Sequence, residues 1–164
     1  MKQLSLLYKT NGQQAGLVAR IALAIVMLPH GCQLLFGWFG GFGFTGSMTY
    51  FTQVEGLPWI VGLMVILLQS VGPVLLLLGI MGRFLAFAMT MLFFGMVATS
   101  HWQHGFFMNW MGNQQGEGFE FHVLAIGLSL ATLVNGSGAY SIDAVLTKRL
   151  QDEQLTFDFA NLDL

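Results

Sequence analysis

Charge is what this sequence most lacks. Six Lys/Arg and eight Asp/Glu stand among 164 residues, 9% where soluble domains carry about 25%. A chain that is 55% hydrophobic cannot clothe a water-soluble sphere with so few polar groups. Cysteine is nearly absent too. Cys32 stands alone, which excludes an internal disulfide and any zinc site built on several thiolates. The net charge of −2 offers no basic face, so nucleic acid is excluded as a partner. No haem, flavin, NAD or iron–sulfur signature is present. Gly41, Gly43 and Gly46 do spell G-x-G-x-x-G, but they follow an apolar run instead of opening a βαβ unit. We read them as a turn.

What the chain has in abundance is long apolar runs. Residues 17–39, 58–79, 84–100 and 119–134 are each of a length to cross a hydrocarbon core of about 30 Å. The expected architecture is all-α: an integral membrane four-helix bundle, a single domain over residues 1–164, with short interfacial helices and the lipid bilayer as its solvent. The last two spans are short, so they should stand upright or draw polar residues in at their ends. Arg20 lies early in span one, where its stem is expected to snorkel to the head groups. The leading MKQLSLLYKTNGQQAG lacks the apolar length and cleavage site of a secretory signal and is expected to be retained.

Every basic residue falls on one side of this map. Lys2, Lys9 and Arg20 precede or open span one, Arg83 sits between spans two and three, and Lys148 and Arg149 follow span four. The connections 40–57 and 101–118 carry no Lys or Arg. Basic residues beside spans stay in the cytoplasm, so both termini are expected there. The inner connection, 80–83, is a tight turn and the outer two are long. The stretch 47–55, with Met48, Phe51 and Val54 at helical spacing, is expected to lie on the outer surface. Residues 141–150 form a second interfacial helix capped by Ser141, followed by an acidic tail. Trp38, Trp59, Trp102 and Trp110 fall at the outer ends, as an aromatic belt requires. Two small-residue pairs, Gly95 with Thr99 and Gly127 with Ala131, are expected to let helices approach closely.

Ionisable groups inside hydrocarbon are expensive, so their positions carry the functional signal. His30 lies roughly 10 Å below the outer end of span one, and Gln69 roughly 16 Å below that of span two. Glu120 and His122 open span four; His101 and His104 close span three. All four histidines and Glu120 therefore belong to the outer half. His30 and Glu120 are the candidate catalytic pair, since a His/Glu pair in low dielectric suits proton transfer to a quinone oxygen. Gln69, His122 and Gln33 are candidate ligand-binding residues. His101 and His104, three apart on one helical face, are candidate metal ligands. Pro29 and Pro73 loosen the carbonyls of Ile25 and Gln69, beside these polar side chains.

Several stretches, taken in order, resemble the DoxX family of small four-span membrane proteins. They are PHGCQLLFGWFGGFGFTG around span one, LLQSVGPVLLLLGIMGR across span two, HGFF, GEGFEFHVL opening span four, and GSGAYSID at its exit. The resemblance covers about residues 20–143 and implies a four-helix bundle in the bacterial inner membrane. It also implies an association with quinone-linked sulfur oxidation and oxidative-stress complexes. His30, Gly31, Glu120 and His122 match the family pattern. Two positions depart from it: Leu34 stands where members often have lysine, and Gln69 where they often have glutamate. Glutamine hydrogen-bonds a carbonyl but exchanges no proton near neutrality.

The leading expectation is a membrane subunit of a redox system, binding a quinone-like ligand in an outward-facing pocket and taking electrons from a partner protein or the substrate. The alternative is a non-catalytic scaffold, chaperone or partner-binding subunit, in which the polar cluster merely closes the bundle. A metal or small-solute carrier is a third, weakened because polar residues do not continue through the inner half.

Overall fold

A computed structural model describes residues 14–162, with side chains up to residue 154. Lys2, Lys9 and most of the leading segment lie outside the described residues. Within them all regular structure is helical. That is the form hydrocarbon demands, since each helix satisfies its own backbone N–H and C=O groups. Helices α1 (Gln14–Phe36) and α3 (Trp59–Leu78) are each long and apolar enough to span a membrane. So is α4 (Gly82–Met96) with its continuation through a π turn, Val97–His101, and a 3-10 turn, Trp102–His104. The shorter apolar α5 (Glu120–Asn135) completes the bundle; its 16 residues cover about 24 Å. Helix α2 (Gly43–Thr49), prolonged by a π turn over Tyr50–Val54, lies in the first long connection, and α6 (Ile142–Leu162) follows the bundle.

Helix α1 packs between α3 and α5, and α4 closes the square against both. Leu23, Ala24, Met27, Leu76, Leu85, Met89, Phe93 and Ala125 make the core, drawn from all four helices. The closest backbone approach is at Gly31 on α1. A methyl group there would overlap the carbonyl of Gln69 on α3, the one that Pro73 leaves without its helical donor. The Ser70 hydroxyl beside it lies 3.1 Å from the Gly31 carbonyl and 2.7 Å from that of Ile66. The expected small-residue contacts are elsewhere than the sequence pattern placed them. A methyl at Gly95 or Gly127 would meet nothing, because both face outward from the bundle.

The end of the bundle where α1 begins and α5 ends corrects a second expectation. Arg20 does not snorkel; it is 1% exposed and makes five hydrogen bonds. Its Nε donates to the Ser137 carbonyl (2.6 Å), Nη1 to those of Leu76 (2.6 Å) and Leu77 (2.7 Å), and Nη2 to those of Ala139 (3.1 Å) and Tyr140 (2.8 Å). Two of these acceptors close α3, so a cation sits where a helix leaves carbonyls unpaired and its dipole is negative. Asp143, also 1% exposed, does the converse at the start of α4. Its carboxylate accepts from the backbone N–H of Met81 and Gly82, each at 2.9 Å, and from the Ser137 hydroxyl at 2.6 Å.

Between the two charges runs the tight turn expected at 80–83. Gly79 has φ 67°, and the N–H groups of Gly79 and Ile80 bond back to Leu76 and Leu75, a Schellman closure. Met81 is held at φ 51°, unusual for a side chain of its size, and the Asp143 bond to its N–H stabilises it there. Ser141 caps α6 as expected, accepting from the Ala144 N–H at 3.1 Å. Helix α6 itself runs well beyond residue 150.

Candidate functional site

The opposite end of the bundle carries both long connections and every candidate histidine. Helix α2 starts nearer α1 than expected, at Gly43. Gly41 fits against the backbone of Gln33, whose amide donates to the Phe39 carbonyl at 3.3 Å. Gln33 thus closes the turn that follows α1.

Two π turns shape this end, and π turns recur at functional sites because they re-aim side chains. The one at Val97–His101 lays the His101 ring on His122, with centroids 4.1 Å apart. A row of rings continues from there. Phe121 lies 5.8 Å from His122, and His30 on α1 lies 6.1 Å from Phe121. Phe93 meets His122 edge-on from α4. The histidines that the sequence scattered over three spans are therefore neighbours, with His122 turned to the segment bearing His101, away from Glu120 one helical face over.

The second long connection roofs this row. Phe119 and Glu120 donate backbone N–H groups to the carbonyls of Gly105 (3.1 Å) and Phe106 (2.8 Å), joining the HGFF stretch to the start of α5. Trp102 stacks on Phe119 at 5.5 Å. Glu120 accepts from the Met108 N–H at 3.2 Å and Glu117 from the Asn109 N–H at 2.7 Å. No hydrogen bond joins Glu120 to His30, which is exposed. His101 Nδ1 lies 2.9 Å from the Glu117 carbonyl. A carbonyl only accepts, so Nδ1 carries the proton in this bond.

One side-chain atom in this half is sealed without a partner among the described residues. His122 is 4% exposed and its Nδ1 has no hydrogen bond. A buried polar group left so costs about 1–3 kcal/mol. Gln69 is equally buried as a residue and its amide makes no hydrogen bond among the described residues, but the amide atoms keep some solvent access. Nearly every other buried polar side chain here is satisfied, as Thr90, Ser129 and Thr132 are by the carbonyl four residues back.

His104 stands apart from this row, its ring filled against Gly116 and 3.4 Å from the Gln103 amide. Among the described residues no three His, Cys, Asp or Glu side chains are grouped to hold a metal ion. A groove of about 330 Å³ lies between α1 and α3, lined by Leu28, Cys32, Leu35, Ser70, Val71 and Val74. It is almost wholly apolar and contains none of the candidate site residues. Cys32 and His30 point about 200° apart on α1, so the groove is on the far side of that helix.

Two parts of this architecture carried no sequence expectation. One is Glu55, whose Oε1 accepts from the Tyr50 hydroxyl at 2.5 Å and the Ser100 hydroxyl at 3.0 Å. The other is Asp143, whose two backbone partners lie about 60 residues away. Glu55 could have been flagged as the one charged residue of the first long connection.

A family model described as DoxX matches residues 15–102, more than half of the chain. The matched stretch holds His30, Gln69 and His101 but stops before Glu120 and His122. No curated protein and no solved structure matches the chain.

Proposed function

The chain belongs to the DoxX family, and from that membership and the sealed, unpartnered Nδ1 of His122 we propose a ligand-binding membrane subunit of a quinone-linked redox system. It resides in the bacterial inner membrane with both termini cytoplasmic, so the roofed histidine row faces outward. The ligand is a quinone-like ring, and the electrons come from a partner protein or directly from the substrate. His122 and Gln69 supply the hydrogen bonds that orient the ring, Gln33 lies at the turn above them, and His30 and Glu120 exchange protons with bulk water at the rim.

The single observation that supports this reading is the burial of His122 Nδ1 without a partner. A bundle kept only for packing gains about 1–3 kcal/mol by replacing such a group with an apolar one. Its presence in an otherwise satisfied core is explained by a ligand that completes it. The scaffold reading draws on a different observation: Glu120 and His101 are already spent on loop backbone groups.

The test is purification in mild detergent, organic extraction and quantification of quinone, for the wild type and for His122→Phe and Gln69→Leu. The proposal expects stoichiometric quinone in the wild type and its loss in both variants, with thermal stability unchanged or raised. A quinone-free wild type with a tightly co-purifying protein would overturn it in favour of the scaffold.

A further inference from the structure

A π turn adds one residue to a helical turn, so every later side chain is swung by about 100° from where an α-helix would aim it. His101 is the last residue of such a turn, and its stacking on His122 depends on that swing. The π bond itself runs from the Trp102 N–H to the Val97 carbonyl. What fixes the turn laterally is Ser100, whose hydroxyl donates to Glu55 Oε1 at 3.0 Å and touches the Thr99 hydroxyl at 3.1 Å.

Glu55 is itself fixed. Its backbone N–H bonds to the Tyr50 carbonyl at 3.1 Å, and its carboxylate receives the Tyr50 hydroxyl at 2.5 Å. That hydrogen bond, with burial and the Glu55 charge behind it, raises the Tyr50 pKa above the ordinary phenol value. The phenol thus remains a donor across the physiological range. Both long connections therefore converge on this turn: the first holds the hydroxyl of Ser100, next to His101, through Glu55, and the second holds the His101 ring through the Glu117 carbonyl.

We propose that Glu55 is a positioning residue for the ligand site, holding the π turn through Ser100 so that the His101 ring lies on His122 with Nδ1 bonded to the Glu117 carbonyl. As a part of that site its role rests on the ligand reading, while its effect on His101 is measurable without any ligand.

The experiment is nitrogen NMR of histidine-labelled full-length protein in lipid nanodiscs, with the His101 signal identified by its loss in His101→Gln. The wild type should show His101 as one Nδ1-protonated tautomer. Glu55→Gln should keep it, because an amide oxygen still accepts both hydroxyls. Glu55→Ala and Ser100→Ala should replace it with a tautomer mixture in protein that remains folded, and decylubiquinone binding should weaken about tenfold in Glu55→Ala and recover in Glu55→Gln. A wild-type His101 spectrum in both alanine variants, whatever their melting temperatures, would overturn the role; Ser100→Ala decides alone if Glu55→Ala does not fold. If the wild type binds no decylubiquinone while the His101 tautomer still follows Glu55, the ligand reading falls and the positioning role stands.

Discussion

Replacing Arg20 by methionine tests the buried knot that joins α1, α3, α4 and α6. Methionine keeps much of the stem but removes all five N–H donors. The Leu76 carbonyl retains the Gly79 N–H as a donor, whereas Leu77, Ser137, Ala139 and Tyr140 lose the arginine bond with nothing shown to replace it. Asp143 also loses its nearby cation and stays buried among three N–H and O–H donors. Leaving several buried carbonyls without their donor, at about 1–3 kcal/mol each, makes a cost of about 3–5 kcal/mol a conservative figure, a large share of the stability of any domain. For a chain of this length that is about 6–20 °C in Tm. The assay is thermal unfolding in detergent, followed by tryptophan fluorescence. Arg20→Lys should fall between the two, since an ammonium has three donors for five acceptors. Adding Asp143→Asn to Arg20→Met should cost less than the sum of the two single changes, because they share one interaction. A melting temperature for Arg20→Met within about 2 °C of the wild type, under 1 kcal/mol, would refute the burial argument and return Arg20 to the head groups.

Two further outcomes follow from other parts of the fold. Gly31→Ala should part α1 from α3, since its methyl group has no space beside the Gln69 carbonyl; a Tm drop of several degrees with loss of bound quinone is expected, and an unchanged Tm would mean the helices do not cross there. Reporter fusions after Arg83 and Lys148 should read as cytoplasmic, and those at Thr49 and Gln114 as external; a reversed pattern would move the histidine row to the cytoplasmic face.

Composition and segment length are enough to specify the class of fold and most of its boundaries. Hydrocarbon admits few charges and needs about 20 apolar residues per span, so α1, α3 and α4 could be read from composition and length alone. The tight turn at 80–83 and the cap at Ser141 were legible too, because turn and cap chemistry is local. That Glu120 and His122 cannot share a helical face was legible as well, but not which neighbour each would meet.

Tertiary structure decided whatever depended on partners distant in the chain. Arg20 reads as a rim residue until its acceptors, 56 to 120 residues away, are folded around it. Gly31, not the outward-facing Gly95 and Gly127, proved to be the point of close approach, since spacing along one helix cannot say which neighbour it meets. His122 looks like any polar residue in a span until packing seals its Nδ1 without a partner. Burial and hydrogen-bond satisfaction are properties of the assembled core, whereas hydropathy is a property of each segment, and the candidate site is defined by the former.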